Sequence, residues 1–145
     1  MSRILLLYWG RRGGGAHYAY HLARSLAARS DIELFVSYSR QGELAGQFRS
    51  LKLPSLPVRT YTDLTSFMAR STLLPAHLHR LRTFVRRHDI RVVINAMPHP
   101  WSPLFPGVVH GCGASYAVVV HDGQMHPGEQ NAILAWWWDR EVAKA

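Results

Sequence analysis

Apolar residues fall along this chain in short dense runs, separated by stretches of helical period. Ile4-Leu-Leu-Leu-Tyr-Trp9 is the first run, of strand length. Apolar positions then recur at Ala19, Leu22, Ala23, Leu26 and Ala27, a stripe on one face of a helix ending near Arg29. Asp31 to Ser37 reads as a second strand and Gly42 to Ser50 as a short helix. Pro54 and Pro57 interrupt the chain before a β-rich segment, Val58 to Thr62. From Ser66 to His88 the period is helical, with Pro75 opening or kinking a second helix that sets Leu74, Leu78, Leu81 and Val85 on one side. Arg91 to Asn95 is a further strand, Leu104 to Gly111 a short helix and Ser115 to Val120 the last strand. The chain is helical again from Glu129.

Strands that are apolar throughout, alternating with amphipathic helices, require a parallel sheet covered on both faces. The pattern predicts an α/β fold, a doubly wound, Rossmann-like parallel sheet of order 3-2-1-4-5, with residues 1–145 as one domain. In that order the chain reverses direction between the first and fourth strands. Open sheets of this kind bind ligands at the carboxyl ends of such strands. Three loops reach that crevice: Gly10 to Gly15, Met97 to Trp101, and His121 to His126.

The first of these is Gly10-Arg-Arg-Gly13-Gly14-Gly15, between a strand and a helix. Such a turn leaves backbone N–H groups unpaired at the positive end of a helix, and glycines let an anion approach them closely. Gly13, Gly14 and Gly15 are therefore candidate anion-binding residues. Pro98-His99-Pro100-Trp101 offers an imidazole and a flat ring on a stiff loop, so His99 and Trp101 are candidates for holding a sugar or a lipid chain, Trp101 equally well as a buried anchor. His121 stands at a strand end, where imidazole can donate a hydrogen bond, and Asp122 beside it could orient it. His121, Asp122, His126 and Glu129 fit no standard metal spacing, and no metal is expected.

Composition narrows the class further. Charged residues make up 18% and hydrophobic residues 48%, a globular balance. The single cysteine, Cys112, excludes an internal disulfide, and no apolar run is long enough for a membrane span, so a cytoplasmic location is expected. Net charge is +8, almost all from arginine. The helix carrying Arg80, Arg82, Arg86 and Arg87 is a candidate for peripheral contact with an anionic membrane surface, although a solvated outer face explains it as well. Basic charge without a recognisable module argues against nucleic acid. Trp136, Trp137 and Trp138 cannot all face one core, so an exposed ring is expected among them.

The stretch Gly13-Gly-Gly-Ala-His17 through His21-Leu-Ala-Arg-Ser-Leu26, together with Val118-Val-Val-His121-Asp122, resembles family 4 glycosyltransferases of the GT-B fold. That resemblance implies one half of a two-domain enzyme, the amino-terminal half that binds the acceptor. It implies retaining transfer from a nucleotide-sugar donor with no further cofactor. It also implies the glycine amides near the donor diphosphate, His121 and Asp122 at the reaction centre, and His17, His99, Trp101 and His126 toward a sugar or lipid-linked acceptor. The family's glutamate pair and second glycine unit are absent from this sequence. A missing or separate donor-binding domain is thus expected as a partner, and the isolated chain is expected to be inactive. Two alternatives stand beside this one. The first is a non-catalytic docking half. The second is an NADP-binding reductase domain, in which Gly10, Gly13 and Gly15 follow the strand and Ser39-Arg40 grips a 2′-phosphate.

Overall fold

The structure is a computed structural model, and it describes residues 1–121 and 132–145. Five strands form one parallel sheet: β1 (Ser2–Tyr8), β2 (Ile32–Ser39), β3 (Ser55–Val58), β4 (Val92–Asn95) and β5 (Ser115–Val118). Their spatial order is β3-β2-β1-β4-β5, with β1 between β2 and β4 at the centre. Alternation along β1 divides the core in two. Leu5 and Leu7 face one layer with Phe35, Val58, Val93 and Tyr116, covered by α4 (Leu74–Arg87) and α5 (Phe105–His110). Leu6 and Tyr8 face the other with Val36 and Tyr38, covered by α1 (Gly14–Ala27) and α2 (Ala45–Ser50). Small residues let α1 lie close: Ala19 and Ala23 are fully buried against the sheet.

One element differs from the sequence pattern. The β-rich segment at Val58 to Thr62 lies mostly beyond the strand, which instead spans Ser55–Val58 and includes Pro57. A proline is tolerated there because β3 is an edge strand and need not donate on its outer side. Leu56 and Val58 are its buried residues. The helical stretch from Ser66 to His88 holds two helices, the second opening at Pro75 as its pattern predicts. The first, α3 (Leu64–Ser71), starts at a capping box in which the Asp63 carboxylate accepts from the Ser66 N–H and the Ser66 hydroxyl accepts from the Asp63 N–H. Pro75 sits in the first turn of α4, where a missing N–H costs nothing.

The chain closes with α6 (Ala132–Val142), which packs on a short 3₁₀ turn at Ser102–Leu104 after β4. Trp136 is the exposed ring, with the Arg140 guanidinium 4.8 Å from its centre. The Trp137 indole N–H donates to the Pro100 carbonyl at 2.7 Å. No helix among the described residues is long and apolar enough to cross a membrane.

Candidate functional site

β1 ends at Tyr8, and Trp9 turns back into the core, its indole N–H donating to Ser37 Oγ at 2.8 Å. The chain then turns through the glycine loop into α1. Gly13 caps α1 with φ +83° and ψ −165°, a region open in practice only to glycine. Gly15 is placed by contact: a Cβ there would come within 2.4 Å of the Met97 sulfur in the loop after β4. The bare Gly15 thus leaves room for the Met97 side chain, while the demand at Gly13 is conformational. Gly14 faces open space. Among the described residues the Gly14 and Gly15 N–H groups have no hydrogen-bond partner.

The Gly13 amide is engaged already. It donates to the Glu43 carboxylate at 2.8 Å, and the same oxygen lies 4.0 Å from His17 Nε2. Glu43 is held in place by its own N–H, which donates to the Arg11 carbonyl at 2.9 Å. Burial, with the Glu43 charge second, pushes the nearby Tyr8 phenol up to about 12. One position of the glycine loop is thus answered by an internal anion, and two are open. His17 itself is exposed beside the loop.

His121 lies at the same edge. Its Nε2–H donates to the Ala96 carbonyl at 3.0 Å, directly after β4, and its ring stands edge-on to Tyr18 of α1 at 4.4 Å. The structure therefore brings His121 and the amino-terminal end of α1 together at the point where strand order reverses. The Ala96 contact uses Nε2 and leaves Nδ1 as the nitrogen facing elsewhere. Asp122 and His126 lie outside the described residues, as does Glu129.

His99 and Trp101 belong to the interior. Trp101 is 3% exposed, its ring packed against Phe67 and Trp9, and its N–H donates to Ser71 Oγ at 3.1 Å. The large ring serves as the anchor of the loop, because burying its area stabilises more than leaving one face open. His99 is 4% exposed, and its Nδ1 accepts the Trp101 backbone N–H at 3.2 Å. That bond fixes the tautomer with the proton on Nε2, which has no partner among the described residues. Burial, with the Arg11 charge second, pulls its pKa down to about 3, so the imidazole is neutral. The aromatic face turned outward at this edge is Tyr61, beneath the Arg11 guanidinium at 5.3 Å.

Glu43, Arg11 and Tyr61 were not legible as site residues. Glu43 and Tyr61 sit in no motif and are brought to the edge by strand pairing, and Arg11 lies within the glycine loop, where only the glycines read as site residues. Ser39 is 1% exposed with its hydroxyl 2.5 Å from Thr60 Oγ1, so it does not present a free group to a 2′-phosphate.

Sheet order and loop placement define the class: a Rossmann-like α/β unit of the kind that forms one half of a GT-B, glycosyltransferase-like fold. Several solved structures share it, MurG and WaaB among them. MurG of Acinetobacter baumannii superposes with a TM-score of 0.65 at 10% identity, over 94% of this chain and 39% of MurG. The lipopolysaccharide outer core galactosyltransferase WaaB, in its apo form, superposes with a TM-score of 0.51 at 11% identity, over 81% of this chain and 32% of WaaB. At such identities the likeness is one of fold, and this chain spans well under half the length of either. No protein-family model and no curated protein matches the sequence.

Proposed function

We propose that this chain is the amino-terminal, acceptor-binding half of a retaining glycosyltransferase that uses a nucleotide-sugar donor. The observation that carries the reading is the meeting of open glycine-loop amides and an imidazole at the switch point of a GT-B-like sheet. Amides at a helix amino terminus suit the donor diphosphate, and they need no rearrangement as charge builds on it. His121, held by Ala96 and Tyr18, has Nδ1 as its second nitrogen, available to accept from a sugar hydroxyl. Asp122 follows it in sequence as the group to orient it or take a proton from the acceptor hydroxyl. His17 beside the loop contacts the acceptor in this reading, His126 is assigned to it from the sequence alone, and a separate domain completes the donor site.

The test is a titration of the ¹⁵N-labelled chain with nucleotide sugars, followed by the backbone amide signals. The expected result is movement of the Gly14 and Gly15 signals and of the His121 ring, with NADPH producing none. Saturable binding of NADPH at the same loop, or nucleotide-sugar shifts confined to another edge of the sheet, overturns the reading.

A further inference from the structure

On the flank of the carboxyl edge away from α1 lies an open groove of about 360 Å³. Arg11 forms its polar end, Tyr61, Phe67 and Pro100 its floor, and Leu64 and Asp63 its rim. The floor is rigid: Tyr61 and Phe67 meet edge to face at 4.9 Å, and Phe67 stacks on the buried Trp101 ring at 6.0 Å. The apolar surface does not stop at the groove. Leu64 is 77% exposed and Met68, one turn further along α3, is 65% exposed. No residue of α3 is buried. A helix tethered by a capping box, yet showing its leucine and methionine to water, offers an unmatched apolar stripe that leads into the groove.

Charge at the polar end is also unmatched. Arg11 donates from Nη1 to the Thr62 carbonyl and lies over Tyr61, but among the described residues it pairs with no carboxylate. Asp63 is near, but each of its oxygens is already engaged, Oδ1 by the Ser66 N–H at 2.8 Å and Oδ2 by the Thr62 hydroxyl at 2.9 Å. The guanidinium therefore keeps donors for an anion, and Arg is suited to phosphate or carboxylate. A free sugar would find few polar partners on this floor. An apolar chain ending in a negative charge would find both of its parts matched.

We propose that this groove binds an anionic amphiphile, its phosphate or carboxylate on Arg11 and its alkyl chain along Phe67, Leu64 and Met68. The inference rests on the acceptor-binding reading above and narrows the acceptor to one carried on an apolar chain.

Isothermal titration of the chain with decyl phosphate, kept monomeric below its micelle concentration, tests it. Inorganic phosphate serves as the headgroup alone and decyl maltoside, also kept below its micelle concentration, as the uncharged chain. Decyl phosphate is expected to bind one per chain, about tenfold tighter than either control. Arg11→Gln and Leu64→Gln are each expected to weaken it about fivefold, and Leu64→Gln to do so with thermal melting unchanged, since Leu64 is largely exposed and packs little. Equal affinity for inorganic phosphate, or indifference to both substitutions, overturns the proposal. So does binding seen only with phosphatidylglycerol vesicles and never with the monomer, which would make the surface a membrane contact instead of a ligand groove. Shifts of the Gly14 and Gly15 amides with nucleotide sugar are read separately, so failure in the groove leaves that result standing.

Discussion

Gly13 shows how one residue sets the glycine loop. Its φ of +83° with ψ −165° is closed to side-chain-bearing residues, and a Cβ there would meet no neighbour, so the demand is conformational and not steric. Gly13→Ala is expected to destabilise the chain by about 1–3 kcal/mol in urea unfolding. Glu43 acts on the same loop through charge, its carboxylate on the Gly13 amide beside a helix amino terminus. Glu43→Gln keeps an acceptor but removes the charge that repels an incoming anion. Pyrophosphate affinity, followed by the Gly14 amide signal, is expected to rise about two- to fivefold. His99 supplies a pH dependence. Its pKa is lowered by burial from 6.5 to about 3, so between those values the unfolded chain binds a proton that the folded chain refuses. Its contribution is present above about pH 6.5 and is lost as pH falls toward about 3. The wild type should lose about 2 kcal/mol more than His99→Gln between about pH 7 and about pH 4.5 in urea unfolding. A glycine cluster announces its loop in sequence; the carboxylate that answers one of its amides does not, because Glu43 is thirty residues away and arrives by pairing of β1 with β2.

Among the elements, α6 depends on one buried carboxylate. Glu141 is fully buried and accepts from the Asn95 side-chain amide at 2.7 Å, from the Ser102 hydroxyl and from the Tyr116 phenol. Three donors from β4, the turn after it and β5 thus converge on one helix. Burial, and then the Glu141 charge, raise the Tyr116 phenol well above its usual range, keeping it protonated as a donor. Glu141→Ala would strand all three donors, and a loss of about 3 kcal/mol or more is expected. Hydrogen exchange should show α6 released while β1 and β2 stay protected; uniform protection would contradict this role. The helix itself was legible from its period, but its latch was not. A glutamate near a chain end reads as solvated, and only the meeting of Asn95, Ser102 and Tyr116 gives it a reason to be inside. The shift of β3 to Ser55–Val58 has a similar origin, since edge position cancelled the usual cost of Pro57.

At the scale of the molecule, the sheet presents its loops at one edge, with an anion-suited loop on the α1 side and an apolar groove on the other. The fold neighbours are much longer, and this chain covers 39% and 32% of them. On the reading proposed here the donor site is completed by another domain. The purified 145-residue chain should therefore give no measurable sugar transfer from nucleotide-sugar donors to sugar or alkyl-phosphate acceptors. Turnover above the uncatalysed background would contradict the half-site assignment.

The chain by itself determined the strand and helix types, the order 3-2-1-4-5 and the convergence of its loops on one edge. Those follow from local period, glycine placement and the handedness of parallel crossovers, all written in nearest neighbours. Tertiary structure alone decided that Glu43 reaches Gly13, that Trp101 and His99 turn inward, that Arg11 meets no carboxylate among the described residues and that Glu141 is buried. Each of these is a balance between desolvation and a partner distant in sequence, and no local pattern holds both sides of it.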